Sequence, residues 1–390
     1  MTTTISWIAG TAVRVRLTSW VASQGRCHSV TIIRRWSSGV QCGARHGLWT
    51  SLGRRSALRT GGKEVKPRSW LILCSQRLHL QAGAAVIPHR DKRDRGGEDA
   101  FFITKRAAGV FDGVGGWSAL GIDPGLYSRR LAELVRAGTE SMDATSSLVS
   151  VVERAAQTNE AVGSCTACVV ALSTLMEAAE PDKRRSVLTC VNLGDSGMMV
   201  LRKGKIIFRS KEQQHYFNCP YQLGTQSKDT PYDAFVDRID VQVGDWLVLG
   251  TDGLFDNVFD EEIVDCIRDW CRERTERRAA APDDPLSANA GTASPMASSL
   301  KTEADGRAAR EMHSAADVDR AMTAPALLTA GAPALRELAE RLARMAVTCA
   351  EDENRMSPFA LNARSAGFWY YGGKLDDVTV IVGRVSRATT

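Results

Sequence analysis

The sequence predicts an α+β protein, and three observations carry that prediction. Short strand-like runs crowd between residues 100 and 251 and return near the C-terminus. A few stretches with apolar residues at helical spacing separate them, and no strict βαβ alternation appears. The 390 residues, 44% hydrophobic and 24% charged, suffice for a full core, either as one large domain with appendages or as two modest ones.

The N-terminal stretch stands apart in composition. Residues 1–63 hold nine arginines and Lys63 with no Asp or Glu, a charge of +10, so the other 327 residues carry −5 against the chain's net +5. Arg, Ser and Thr abound there, with Trp7, Trp20, Trp36 and Trp49, which is the make-up of an organelle transit peptide. Residues 1–80 are expected to be targeting sequence and linker, directing the chain to mitochondria and most simply to the matrix. A basic RNA-binding tail and plain disorder are the alternatives. Met1 to Val13 is faintly apolar but follows no basic residue, which argues against a secretory signal. The basic excess is confined to this end, so charge gives no global argument for a nucleic-acid partner, and none is expected. No run approaches the ~18 apolar residues of a spanning helix, so no stable membrane insertion is expected.

Order is expected from about Ala84. Glu98-Asp99 leads into a strand over 100–103, and the Lys105-Arg106 turn leads to a second apolar run, 107–111, that ends at Asp112. Asp123-Pro124-Gly125 has the character of a helix start, with Leu126, Arg130, Leu131, Leu134 and Val135 following at near-helical spacing. A second helix is expected over 147–159, with Leu148, Val151, Val152 and Ala155 on one face. Strand signals follow over 165–172, 187–193, 197–201 and 206–208, and Gly194-Asp195-Ser196-Gly197 joins two of them as a hairpin turn. Residues 213–223 read as a surface loop, 235–243 as an alternating strand and 246–251 as an apolar one. Asp260 is expected to cap a helix carrying Ile263, Val264 and Ile267. From about 273 to 332 the composition turns to Ala, Ser, Thr, Asp and Arg, a low-complexity insertion that buries little surface. A helix with Leu335, Leu338, Leu342 and Met345 on one stripe follows, and a strand over 378–382 closes the order.

Of ten cysteines, only Cys165-Thr-Ala-Cys168 has metal-like spacing. No second pair completes a zinc site, and the two thiols fit a buried strand as small apolar groups. The acidic residues are more informative. Asp112 ends an apolar run beside the glycines of Gly113-Val-Gly-Gly116, Glu98-Asp99 precedes a strand, Asp252-Gly253 follows one, and Asp376-Asp377 precedes another. One such corner is ordinary turn chemistry, whereas four on one chain suggest a shared site. Carboxylates so gathered repel unless divalent cations neutralise them, and an oxygen-only donor set favours Mg²⁺ or Mn²⁺ over zinc. Two such ions acidify a bridging water and offset the charge on phosphoryl oxygens. Neither a Gly-x-Ser-x-Gly elbow nor a Gly-x-x-x-x-Gly-Lys-Ser/Thr phosphate loop is present, which argues against a serine hydrolase and a P-loop nucleotidase.

Five stretches occur in one order: Gly97-Glu-Asp-Ala100, Phe111-Asp-Gly-Val-Gly-Gly-Trp117, Leu193-Gly-Asp-Ser-Gly197, Gly250-Thr-Asp-Gly-Leu-Phe-Asp-Asn257 and Asp376-Asp-Val-Thr-Val380. Together they resemble the metal-dependent protein phosphatases of the PPM (protein phosphatase 2C) family. Trp117, Gly121-Ile-Asp-Pro-Gly125 and Glu212-Gln-Gln-His-Tyr-Phe-Asn218 resemble its mitochondrial PTC-seven-homolog branch. The resemblance covers about residues 84–385, leaving out the insertion. It implies an α/β/β/α sandwich of two antiparallel sheets, and hydrolysis of phosphoserine and phosphothreonine in protein substrates by direct attack of a water held by two Mg²⁺ or Mn²⁺ ions. By position it implies that Asp112 bridges the ions, that the Gly113 carbonyl ligates the second with Glu98 beside it, and that Asp252 and Asp376 complete the first. It implies that Asp99 holds water rather than metal and that Asp377 supports the ligands, while Asp195 and Ser196 read as hairpin-turn residues that support the fold. Two departures matter: Val114 stands where many relatives carry an acid-donating His, and Arg95 does not match the spacing of the family's phosphate-binding Arg. His215 is a candidate donor only if its loop folds inward. A pseudophosphatase that binds phosphoproteins without turnover is the rival expectation.

Overall fold

Along Val378–Arg387 successive side chains point to opposite faces, and the two faces serve two different cores. Val378, Val380 and Val382 meet helices, whereas Ile381 and Val385 meet a second sheet. The same division runs through the chain and produces four layers. The computed structural model describes residues 3–6, 14–17, 78–142, 147–176, 184–280 and 331–387. The chain divides into two units, Met1–Leu71 and Ile72–Thr390. In the first, β1 (Thr3–Ser6) pairs antiparallel with β2 (Arg14–Leu17). The rest of the predicted targeting segment as far as residue 77, and residues 281–330 of the predicted insertion, lie outside the described residues.

In the second unit one five-stranded sheet runs β10 (Lys205–Arg209), β9 (Gly197–Arg202), β15 (Trp246–Gly250), β16 (Val378–Arg387) and β3 (Leu78–Ile87). The other runs β14 (Phe235–Asp240), β8 (Arg184–Leu193), β7 (Ala167–Met176), β5 (Ala107–Phe111) and β4 (Ala100–Ile103). All of these pairs are antiparallel. Two short ladders lie outside the sheets, β6 (Ser164–Cys165) with β13 (Leu223–Gly224), and β11 (Gln214–Tyr216) with β12 (Cys219–Pro220). Val110, Val170, Leu188, Met198, Val200, Leu249 and Ile381 fill the space between the sheets.

Helices cover both outer faces. Tyr127, Leu131 and Val135 of α1 (Pro124–Glu140) and Leu148 and Val152 of α2 (Leu148–Thr158) pack on Phe102, Phe111, Val169 and Val191. On the far side Ile263, Ile267 and Trp270 of α4 (Asp260–Ala280), and Leu335, Leu338 and Leu342 of α5 (Ala332–Ala350), pack on Met199, Leu201, Trp246 and Val248. Two short helices, α3 (Asp252–Phe255) and α6 (Pro358–Ser365), also occur among the described residues. This is the α/β/β/α sandwich that the resemblance implied. Among the described residues no helix is long and apolar enough to cross a membrane.

The predicted helix starts are as expected: the Asp123 side chain accepts from the Gly125 amide at 2.9 Å, and Ser147 accepts from the Ser150 amide at 3.1 Å. Four details differ. Strand β3 begins at Leu78, ahead of Ala84, because all ten of its residues pair with β16, from Leu78 opposite Arg387 to Ile87 opposite Val378. Its Ala- and Gly-rich sequence hides this, and the reason for Gly83 is packing: a Cβ there would lie 2.2 Å from the Arg336 backbone nitrogen of α5. Helix α4 continues to Ala280, into the predicted insertion. Asp260 opens α4, but its carboxylate accepts from Arg209 Nε at 3.2 Å, and Glu262 binds the Phe259 amide instead. Helix α6, capped by Ser357 with Pro358 in its first turn, was not foreseen.

Candidate active site

Strand register gathers the acidic corners at one end of the sandwich. Ala100 stands opposite Phe111, which makes Asp99 and Asp112, one residue beyond each strand, neighbours. In the other sheet Gly250 stands between Gly197 and Val380, which brings the Asp195 turn, Asp252 and the Asp376-Asp377 pair to the same end. Hydrogen bonds then tie one sheet's corner to the other's. Thr251 Oγ1 donates to Asp99 Oδ2 at 2.8 Å, the Glu98 amide donates to Asp377 Oδ2 at 2.6 Å, and the Thr166 and Ser196 hydroxyls meet at 2.8 Å.

Carboxylate oxygens of Asp112, Asp195 and Asp252 lie within 4.8 Å of one another. Asp195 was expected only to shape a turn; it sits in that turn, between β8 and β9, and its carboxylate also joins the cluster. Glu98, Asp99 and Asp376 do not belong to this tight group of three. Asp99 is buried against Thr251, and Glu98 and Asp376 are joined by Lys92, whose Nζ lies 2.7 Å from Glu98 Oε2 and 3.1 Å from Asp376 Oδ1. Asp377 accepts hydrogen bonds from the amides of His89 and Glu98, each at 2.6 Å. Gly113 is buried, and a Cβ on it would lie 2.5 Å from the Glu98 carbonyl oxygen, so only glycine lets the two acidic corners approach.

Sequence reasoning missed both lysines of the site. Lys374 Nζ contacts Asp252 and lies 2.9 Å from Asp256 Oδ2 and 3.7 Å from Asp376 Oδ2. The signal was a lysine two residues ahead of an acidic pair, in Gly372-Gly-Lys-Leu-Asp-Asp377. Arg95 reaches Glu98 Oε1 at 3.3 Å and Ser118 at 3.5 Å, so Lys92, and not Arg95, bridges the two corners. The Val114 amide donates to the Ser164 carbonyl at 3.0 Å. His215 pairs with Asp229 at 3.0 Å and stacks on Tyr221, partners that keep it in its own loop.

The donor set fits hard divalent cations. It is all oxygen, and Asp99 Oδ1, Asp195 Oδ1 and Asp252 Oδ1 are buried with no hydrogen-bond partner. Burial first, and then the neighbouring carboxylates, push the Asp99, Asp112 and Asp195 carboxyls well above their ordinary range. Asp256 is raised to about 7, by burial and then by Asp252 against the opposing pull of Lys374. Burial also opposes the charge on Asp252, but Lys374, together with hydrogen bonds from Asp112 and the Gly253 backbone, holds that carboxyl below its ordinary value.

No protein-family model matches the chain. Pairwise comparison is decisive. The chain is 36% identical over 320 residues to probable protein phosphatase 2C 55 of Arabidopsis thaliana, covering 81% of this chain and 54% of that protein. It is 30% identical over 311 residues to protein phosphatase PTC7 homolog of Danio rerio, covering 75% of this chain and 82% of that protein. The chain belongs to the PPM (protein phosphatase 2C) family. Among solved structures, that of the photosystem II phosphatase PBCP matches with a TM-score of 0.55 at 27% identity, over 79% of this chain and 99% of that one. The chain spans about half the length of the Arabidopsis phosphatase, 54%. Its PPM membership agrees with the resemblance read from the five motifs, and its likeness to the PTC7 homologs with the one read from Trp117 and residues 121–125 and 212–218.

The raised carboxyls set a pH dependence. Their folded pKa values exceed the unfolded ones, so between about pH 4 and pH 7 (the window set by Asp256) the metal-free folded state holds more protons than the unfolded chain. Its stability therefore falls as pH rises through that window, and a divalent ion that binds must expel protons. Mn²⁺ affinity is expected to weaken by about tenfold or more from pH 8 to pH 6, with proton release measured by titration calorimetry in buffers of different ionisation enthalpy. A pH-independent affinity with no proton release would contradict this.

Proposed function

We propose that this PPM-family chain is a Mg²⁺- or Mn²⁺-dependent protein serine/threonine phosphatase of mitochondria. Its catalytic domain would run from β3 to β16, with the preceding residues as transit peptide and linker. The observation that carries the activity is the close meeting of half-buried Asp112 with buried Asp195 and Asp252, the last two each keeping an Oδ1 without a hydrogen-bond partner. The names of the relatives support it. The N-terminal composition and the likeness to PTC7 homologs support the location.

Asp112, Asp252, Asp376, Glu98 and the Gly113 carbonyl would hold two ions, with Asp195 added to the set from the geometry. Divalent ions there would acidify a water and offset negative charge on a phosphoryl group. The remaining work falls to the chain's own residues. Thr251 fixes Asp99 through Oδ2 and leaves Oδ1 free to accept a hydrogen bond from water. Asp377 and Lys92 fix Glu98 from two sides. Lys92 is partly exposed, so its charge is also open to an incoming phosphate.

Purified protein is expected to hydrolyse a phosphothreonine peptide with Mg²⁺ or Mn²⁺ and to stop in EDTA. Asp112→Asn, which removes a charge shared by the cluster, is expected to lower kcat by about 100-fold or more, since a bound metal supplies several kcal/mol to such a step. A folded, metal-loaded protein without turnover would instead favour the phosphoprotein-binding pseudophosphatase. Residues 1–80 fused to a fluorescent reporter are expected to carry it into mitochondria, and a cytosolic reporter would overturn that location.

A further inference from the structure

Lys374 is an unusual lysine. Its side chain is only 15% exposed, and its ammonium group faces three carboxylates, those of Asp252, Asp256 and Asp376. The backbone around it is clamped: the Lys374 amide donates to Asn257 Oδ1 at 2.8 Å, and Asn257 Nδ2 donates to the Lys374 carbonyl at 2.9 Å. Asn257 is itself fully buried and also donates to the Gly253 carbonyl at 2.9 Å, so the lysine is fixed to the same turn that carries Asp252. This is a built position, unlike the solvated reach of a surface lysine.

The surroundings of the ammonium are those of a hard cation, anionic oxygens on several sides and little exposure to solvent. Asp252 divides its oxygens between two uses, Oδ2 to Lys374 and Oδ1 buried without a partner. We propose that the Lys374 ammonium fills a cation position of its own in the carboxylate cluster and so stands in for one divalent ion, an inference that rests on the metal-centre reading above. An ammonium is a compact point charge with three donors, suited to this geometry but carrying half the charge of Mg²⁺ or Mn²⁺. It keeps Asp252, Asp256 and Asp376 compensated while the centre is metal-free, and its like charge keeps a further divalent ion away from Asp256.

Without the lysine, buried Asp252 and half-buried Asp256 and Asp376 would be short of a counter-ion, a condition that costs folding unless another cation arrives. The test is the number of Mn²⁺ ions bound per full-length chain, by titration calorimetry and native mass spectrometry, together with thermal unfolding in EDTA and in Mn²⁺. Lys374→Gln is expected to bind one ion more than the wild type, to unfold at lower temperature in EDTA, and to regain that loss in Mn²⁺. Lys374→Arg, which keeps a cation in place, is expected to bind the wild-type number. The proposal is overturned if folded Lys374→Gln binds only the wild-type number, or if it stays unfolded in saturating Mn²⁺. A wild type that binds no Mn²⁺ would remove the metal-centre reading, and this inference with it.

Discussion

Repulsion among buried carboxylates is the constraint on which the rest of this molecule turns. Two full negative charges 4.8 Å apart, the spacing within the Asp112, Asp195 and Asp252 group, repel by roughly 3–4 kcal/mol at an effective dielectric near 20. A few such pairs rival the ~5–15 kcal/mol that holds a typical domain folded. The cluster therefore exists only because something offsets it. Three devices are available: retained protons, which the raised carboxyls favour; the ammonium groups of Lys92 and Lys374; and divalent cations. The first two offset the repulsion without metal, and the third is what the proposed activity requires.

The fold meets that constraint through antiparallel register. An acid just beyond the end of one strand lies beside the acid just before its partner, as Asp112 does beside Asp99. Two sheets packed face to face double the effect, and the hydrogen bonds from Thr251 to Asp99 and from Glu98 to Asp377 keep the two edges from drifting apart. The inter-sheet core of Val110, Met198, Leu249 and Ile381 lies directly behind these corners. A close-packed interior is what lets short polar turns hold like charges in place.

Much of this was legible in the sequence because the determining signals are local. Apolar runs ending in acids announced β5 and β15, Asp123-Pro124 announced α1, and five motifs in one order announced the family. What escaped is what depends on three-dimensional partners. The first residues of β3 carry little hydrophobic signal and are strand because β16 pairs with them throughout. Asp195 reads locally as a turn residue, and only the pairing of β9 with β15 brings its carboxylate to Asp252. Lys92 and Lys374 look like ordinary polar loop residues until the acids they serve are folded around them. Arg95 drew notice through its nearness to Glu98 in sequence, yet the bridging charge comes from Lys92, three residues earlier.

The most direct measurement of the central claim is anomalous X-ray scattering from crystals grown with Mn²⁺. Mn²⁺ peaks are expected within coordination distance of the Asp112 and Asp252 carboxylates, with the Lys374 ammonium still seated between Asp252 and Asp256. Well-ordered crystals in saturating Mn²⁺ with no peak at these carboxylates would contradict that claim.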